Sequence, residues 1–89
     1  DMPVIEVSPD LVVEILSPSD RSAVLQGKLQ DYARIGAQEC WLISPEAETV
    51  EVLRFTPAGI TRVNLFGAGD TLRSDLLPGF KMKVDDIFN

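Results

Sequence analysis

The chain has 89 residues, 45% of them hydrophobic, which suits one small globular domain rather than a disordered segment. Eight basic against 14 acidic residues give a net charge of −6. That balance argues against a protein that grips nucleic acid by phosphate neutralisation alone, although divalent cations can offset acidic groups locally.

One cysteine and no histidine exclude an intrachain disulfide, an ordinary structural zinc site and any Ser-His pair around Ser17. They also fit a reducing cytoplasm. No apolar run approaches the ~20 residues that span a bilayer, and no signal-peptide pattern opens the chain. The chain starts at Asp1 without an initiator methionine, which reads either as a processed or engineered piece or as upstream residues being absent. There are no repeats and no low-complexity stretches.

Residues 3–8 are extended in character, and Ser8-Pro9 breaks the run. Residues 10–17 predict a strand rich in β-branched side chains. Leu11, Val13 and Ile15 share one face; Asp10, Val12, Glu14 and Leu16 share the other. Both faces are largely apolar, so this is a central strand covered on both sides. Glu14 is then an interior carboxylate, and charges are seldom buried for packing reasons.

Ser17-Pro18-Ser19-Asp20 is a loop and helix start, with Pro18 closing the strand and Ser19 or Asp20 as the cap. The helix should run from about residue 20 to 35 and stop at Gly36. At helical periodicity Val24, Leu25, Leu29, Tyr32 and Ile35 form one apolar stripe, with Lys28 inside it. Arg21, Asp31 and Arg34 lie off that stripe. Tyr32 reads as core.

Residues 38–44 predict a second buried strand, with Cys40 as a small buried hydrophobe and Trp41 as a sheet-packing residue. Pro45 to Glu48 is a turn. Thr49 to Phe55 and Ile60 to Phe66 form a hairpin around Pro57-Ala58-Gly59. A turn at 67–70, a short strand at 71–73, an apolar corner at 76–80 and a helical turn at 84–88 complete the chain. Asp85-Asp86 reads as a solvated helix end. The order predicts a small α/β or α+β domain with a mixed sheet.

One constellation carries chemistry. Glu14 on the strand and Lys28 on the following helix converge on the same interior. A carboxylate and a lysine so placed form the core of a metal-dependent phosphodiester-cleaving site.

The segment Pro9-Asp10-Leu-Val-Val-Glu14-Ile-Leu-Ser17-Pro-Ser19 resembles the Uma-two family of the PD-(D/E)XK restriction-endonuclease-like superfamily. The resemblance continues through Lys28-Leu-Gln-Asp-Tyr32-Ala-Arg-Ile-Gly36 and Glu39-Cys-Trp41-Leu-Ile-Ser-Pro45. It resumes at Gly69-Asp-Thr-Leu72 and Leu77-Pro-Gly-Phe80.

This resemblance implies a restriction-endonuclease-like mixed sheet with a helix after the central strand. It also implies a DNA substrate and a Mg²⁺ or Mn²⁺ cofactor. Glu14 matches the acidic residue of the (D/E)XK strand and is both metal ligand and catalytic residue. Position 16 is Leu16, not lysine, so Lys28 looks like the displaced catalytic lysine. Asp10 follows Pro9 and supplies a nominal "PD", which makes it the other candidate metal ligand. Four strand residues separate Asp10 from Glu14 by roughly 13 Å, too far for two ligands of one hard cation. In relatives the metal-binding Asp lies on an earlier strand.

Residues 1–89 therefore read as one domain, the C-terminal portion of an endonuclease-like domain, incomplete at its N-terminus and short of a full catalytic set. The alternative is a non-catalytic interaction module on a nuclease-derived scaffold, forming a homo-oligomer through an open sheet edge.

Overall fold

The computed structural model describes residues 4–8, 10–17 and 22–88. The predicted break at Pro9, the predicted strand end at Pro18 and the predicted cap at Ser19 or Asp20 lie outside the described residues.

A five-stranded mixed sheet organises the molecule, in the spatial order β1-β2-β3-β4-β5. β1 (Val4–Ser8) pairs antiparallel with β2 (Leu11–Ile15). Helix α1 (Ser22–Arg34) then returns the chain so that β3 (Glu39–Ser44) lies parallel to β2. A parallel pair needs such a crossover, and a helix is its usual form. β4 (Thr49–Thr56) and β5 (Gly59–Phe66) complete the sheet as an antiparallel hairpin. β6 (Thr71–Leu72) and β7 (Met82–Lys83) form a small second sheet, and α2 (Val84–Phe88) follows at once. The restriction-endonuclease-like α+β architecture expected from the sequence is present.

The period-2 pattern of β2 and β3 sorts side chains into two cores. Leu11, Val13, Trp41, Val50, Val52, Phe66, Leu72 and Val84 pack on one face of the sheet. Cys40, Leu42, Leu53 and Leu29 of α1 pack on the other. Each large apolar side chain buried this way contributes about 1.5–3 kcal/mol. Trp41 packs against Phe80 with ring centroids 5.7 Å apart, as a sheet-packing residue should. The corner at 76–80 joins that core through Leu76, Leu77 and Phe80.

The apolar stripe of α1 is narrower than its periodicity suggests. Leu29 is buried, and Leu25 and Tyr32 pack beside it. Val24 and Ile35 instead face solvent, at 54% and 76% exposure. At about 100° per residue, Val24 and Ile35 point roughly 90–110° away from the common direction of Leu25, Leu29 and Tyr32, off the face that meets the sheet. Lys28 is half-buried at the margin of the strip. α1 ends where expected: Gly36 adopts φ 93°, a left-handed conformation that glycine enters without the Cβ clash.

Candidate functional site

Glu14 sits on β2, on the face that α1 covers, and is fully buried. Val12 and Leu16 share its face, and Tyr32 of α1 donates a hydrogen bond from its hydroxyl to Glu14 Oε1. Oε2, the second carboxylate oxygen, is also buried and has no hydrogen-bond partner among the described residues. An unpartnered buried carboxylate oxygen costs several kcal/mol unless something positive or protic meets it. Among the described residues it is the one buried side-chain polar atom without a hydrogen-bond partner, and it belongs to the residue that sequence reasoning placed at the centre of the site.

Tyr32, read from sequence as core, is both core and partner. Its ring packs with Leu29, Cys40 and Leu42 while its hydroxyl reaches Glu14. Burial, then the hydrogen bond to Glu14 and its charge, push the phenol well above its ordinary pKa. Tyr32 therefore remains a protonated donor across the neutral range. The signal was available: the buried strip of α1 that points Leu25 and Leu29 at the sheet also points position 32 there.

Lys28 makes no ion pair with Glu14 among the described residues. It lies one turn before Tyr32 on α1, with its side chain half-buried. The structure thus places Lys28 and Glu14 on facing elements without joining them directly.

Asp10 stands in an exposed turn before β2. Its carbonyl oxygen accepts hydrogen bonds from the amides of Gln38 and Glu39, at 2.8 and 3.0 Å, which pins the start of β2 to the start of β3. Asp10 and Glu14 are not brought together. No group of three or more Asp, Glu, His or Cys residues among those described could hold a metal ion. Glu14 Oε2 does have the character of a Mg²⁺ or Mn²⁺ ligand, a hard carboxyl oxygen without a competing donor among the described residues. The residues present fit such an ion as one ligand, not as a complete set.

A second buried carboxylate went unnoticed in the sequence. Glu39 opens β3 and faces the opposite side of the sheet, fully buried beside Trp41. It is well satisfied. The Trp41 indole N–H donates to Oε2 at 2.9 Å, and the Ser74 hydroxyl donates to the same oxygen. Arg54 Nη2 approaches Oε1 at 3.4 Å. The signal lay in strand alternation: Glu39 shares a face with Trp41, and a buried indole N–H seeks an acceptor. The two glutamates thus differ in kind, one closed on three donors and one with an open oxygen.

No helix among the described residues is long and apolar enough to cross a membrane. Residues 4–85 match the Uma2 family, described as "Putative restriction endonuclease". A solved structure described as a "putative nuclease belonging to DUF820 from Anabaena variabilis ATCC 29413" is similar, with 26% identity and a TM-score of 0.66. The similarity covers 93% of this chain and 45% of that one, so the chain spans about half the length of its structural relative. No curated protein matches the chain.

Proposed function

We propose that this chain, which belongs to the Uma2 family, is the portion of a divalent-metal-dependent DNA endonuclease that carries its central catalytic strand. The single observation behind this reading is the unpartnered, buried Oε2 of Glu14. Residues 1–89 are then the C-terminal part of the nuclease domain.

Each residue has a role. Glu14 would hold the cation through Oε2. When bound, Mg²⁺ or Mn²⁺ supplies Lewis acidity toward the phosphodiester. Tyr32 fixes the carboxylate by occupying Oε1, so that only Oε2 is available. Lys28 orients the attacking water and offsets negative charge that develops on the phosphate. Asp10, held at the far end of β2, is the weaker candidate for a second ligand. In a protein of the relative's length, that ligand would come from the remaining half.

The decisive experiment is cleavage of plasmid DNA by the full-length protein in Mg²⁺ or Mn²⁺. Glu14→Gln and Lys28→Ala should each reduce the rate by at least about 10²-fold, the usual loss when a group stabilising the transition state is removed. Asp10→Asn should cleave like the parent. Undiminished cleavage by both Glu14→Gln and Lys28→Ala would refute the assignment.

The alternative, a non-catalytic module that forms homo-oligomers, draws on one feature. β5 is an edge strand of eight residues that leaves Ile60, Val63 and Leu65 exposed. Such an edge is a template for pairing with another chain. Under this reading light scattering would find a dimer that Leu65→Lys dissociates, and no metal-dependent cleavage.

A further inference from the structure

The face of the sheet opposite Glu14 carries a cleft of about 520 Å³, between the β4–β5 hairpin and the segment from Arg73 to Lys81. Arg54, Arg73 and Lys81 line it against the carboxylates of Glu39 and Asp75, beside an apolar wall that includes Phe80. Three of the eight basic residues of a chain with net charge −6 thus surround one cavity. A volume of a few hundred Å³ with an apolar wall and convergent polar groups is the usual form of a small-ligand site.

Its floor is built rather than incidental. Arg54 is anchored by the fully buried Glu39, which Trp41 and Ser74 hold from the other side. A guanidinium carries five donors in a fixed fork, and this anchorage occupies few of them. Asp75 is the other acid near Arg54, 3.7 Å away and 95% exposed, so solvent screens it. Arg73 and Lys81 form no ion pair among the described residues. The cleft therefore sets three cations against two carboxylates, and both carboxylates approach Arg54, which leaves Arg73 and Lys81 for a ligand.

We propose that this cleft binds a phosphate-bearing ligand of the nucleotide class. The phosphate lies among Arg54, Arg73 and Lys81, and the base lies against Pro78 and Phe80. Guanidinium–phosphate contacts are the strong, charge-assisted kind, and an aromatic wall accepts any base without reading its identity. The site is separate from Glu14 and does not depend on the nuclease assignment, because the sheet stands between them.

Trp41 provides the probe. It is the single tryptophan of the chain and packs on Phe80, which lines the cleft. We would follow its emission, excited at the red edge, while titrating inorganic phosphate, thymidine 5′-monophosphate, thymidine and a short single-stranded oligothymidylate. The monophosphate should bind saturably and more tightly than either phosphate or thymidine. Arg73→Gln with Lys81→Gln should weaken it about tenfold or more, the usual loss for a charge-assisted contact, while Glu14→Gln leaves it unchanged. These two positions are exposed, so the double variant keeps the core intact. Affinity that rises from the monophosphate to the oligomer makes nucleic acid the source of the phosphate; equal affinity makes it a free nucleotide. Absence of saturable binding overturns the proposal. So does binding that survives the double variant or is lost in Glu14→Gln.

Discussion

At the scale of single residues, the two buried glutamates invite opposite experiments. Glu39 is closed on Trp41, Ser74 and Arg54. Glu39→Leu should cost about 3–5 kcal/mol in urea unfolding, because it strands a buried indole N–H, a hydroxyl and part of a guanidinium at once. Tyr32→Phe removes the donor from Glu14 Oε1 and leaves the whole carboxylate without a partner. It should cost about 1–3 kcal/mol and reduce Mn²⁺ affinity by calorimetry, since the carboxylate is then free to rotate. A Tyr32→Phe protein as stable as the parent would contradict the contact.

Cys40 sits between these carboxylates, and burial, helped by the charges of Glu14, Glu39 and Glu51, pushes its thiol up to about 12. The unfolded thiol ionises near 9, so between pH 9 and about 12 the unfolded chain loses a proton that the folded chain retains. Stability should therefore be intact below pH 9 and fall as pH rises through that window. Tyr32 adds to the same slope, because its phenol too is held protonated by the fold. Cys40→Ala should flatten the fall without abolishing it. A thiol reagent at pH 8 should leave native Cys40 unmodified and label it on unfolding.

At the scale of elements, α1 shows what periodicity can and cannot report. Strand alternation in β2 correctly placed Glu14 inside. Gly36 correctly marked the helix end, and the hairpin of β4 and β5 followed from its turn residues. The same reasoning over-extended the apolar stripe to Val24 and Ile35. Those two residues point about a quarter turn away from Leu25, Leu29 and Tyr32, and periodicity alone does not say how wide a strip of the helix the sheet covers. Leu29→Ala should therefore cost about 2–4 kcal/mol, while Ile35→Ala stays within about 0.5 kcal/mol. Gly27 lies mid-helix, exposed, with nothing within 4 Å of an added Cβ. Gly27→Ala should stabilise by about 0.5–1 kcal/mol in thermal or urea unfolding. Asp85, read as a solvated helix end, also accepts the Gly69 amide at 3.1 Å, a tertiary tie between distant positions that sequence does not display.

At the scale of the whole molecule, the candidate site was half legible. Glu14 and Lys28 stood out because charges in apolar patterns are costly, and that cost is local and visible in sequence. Glu39 and its cleft did not, because Arg54, Ser74 and Trp41 converge only once β3, β4 and the 73–81 segment are assembled. Partners that span 15 and 35 residues leave no periodic trace. The two carboxylates lie on adjacent parallel strands and point to opposite faces of one sheet.

That arrangement bears on how the chain finds its alignment. Most side chains of β2 and β3 are interchangeable apolar residues, so burial alone would tolerate a one-residue slip between the two strands. Such a slip would turn every β3 side chain over. Glu39 would leave its three donors and come to lie opposite Val12, on the same buried face as Glu14, while Arg54 and the Trp41 indole lost their acceptor. The misaligned sheet would thus be disfavoured by several kcal/mol before any apolar contact is counted. The buried charges fix which residue of β3 faces which residue of β2, and a chain carrying Leu at both 14 and 39 should fold to a mixture of alignments.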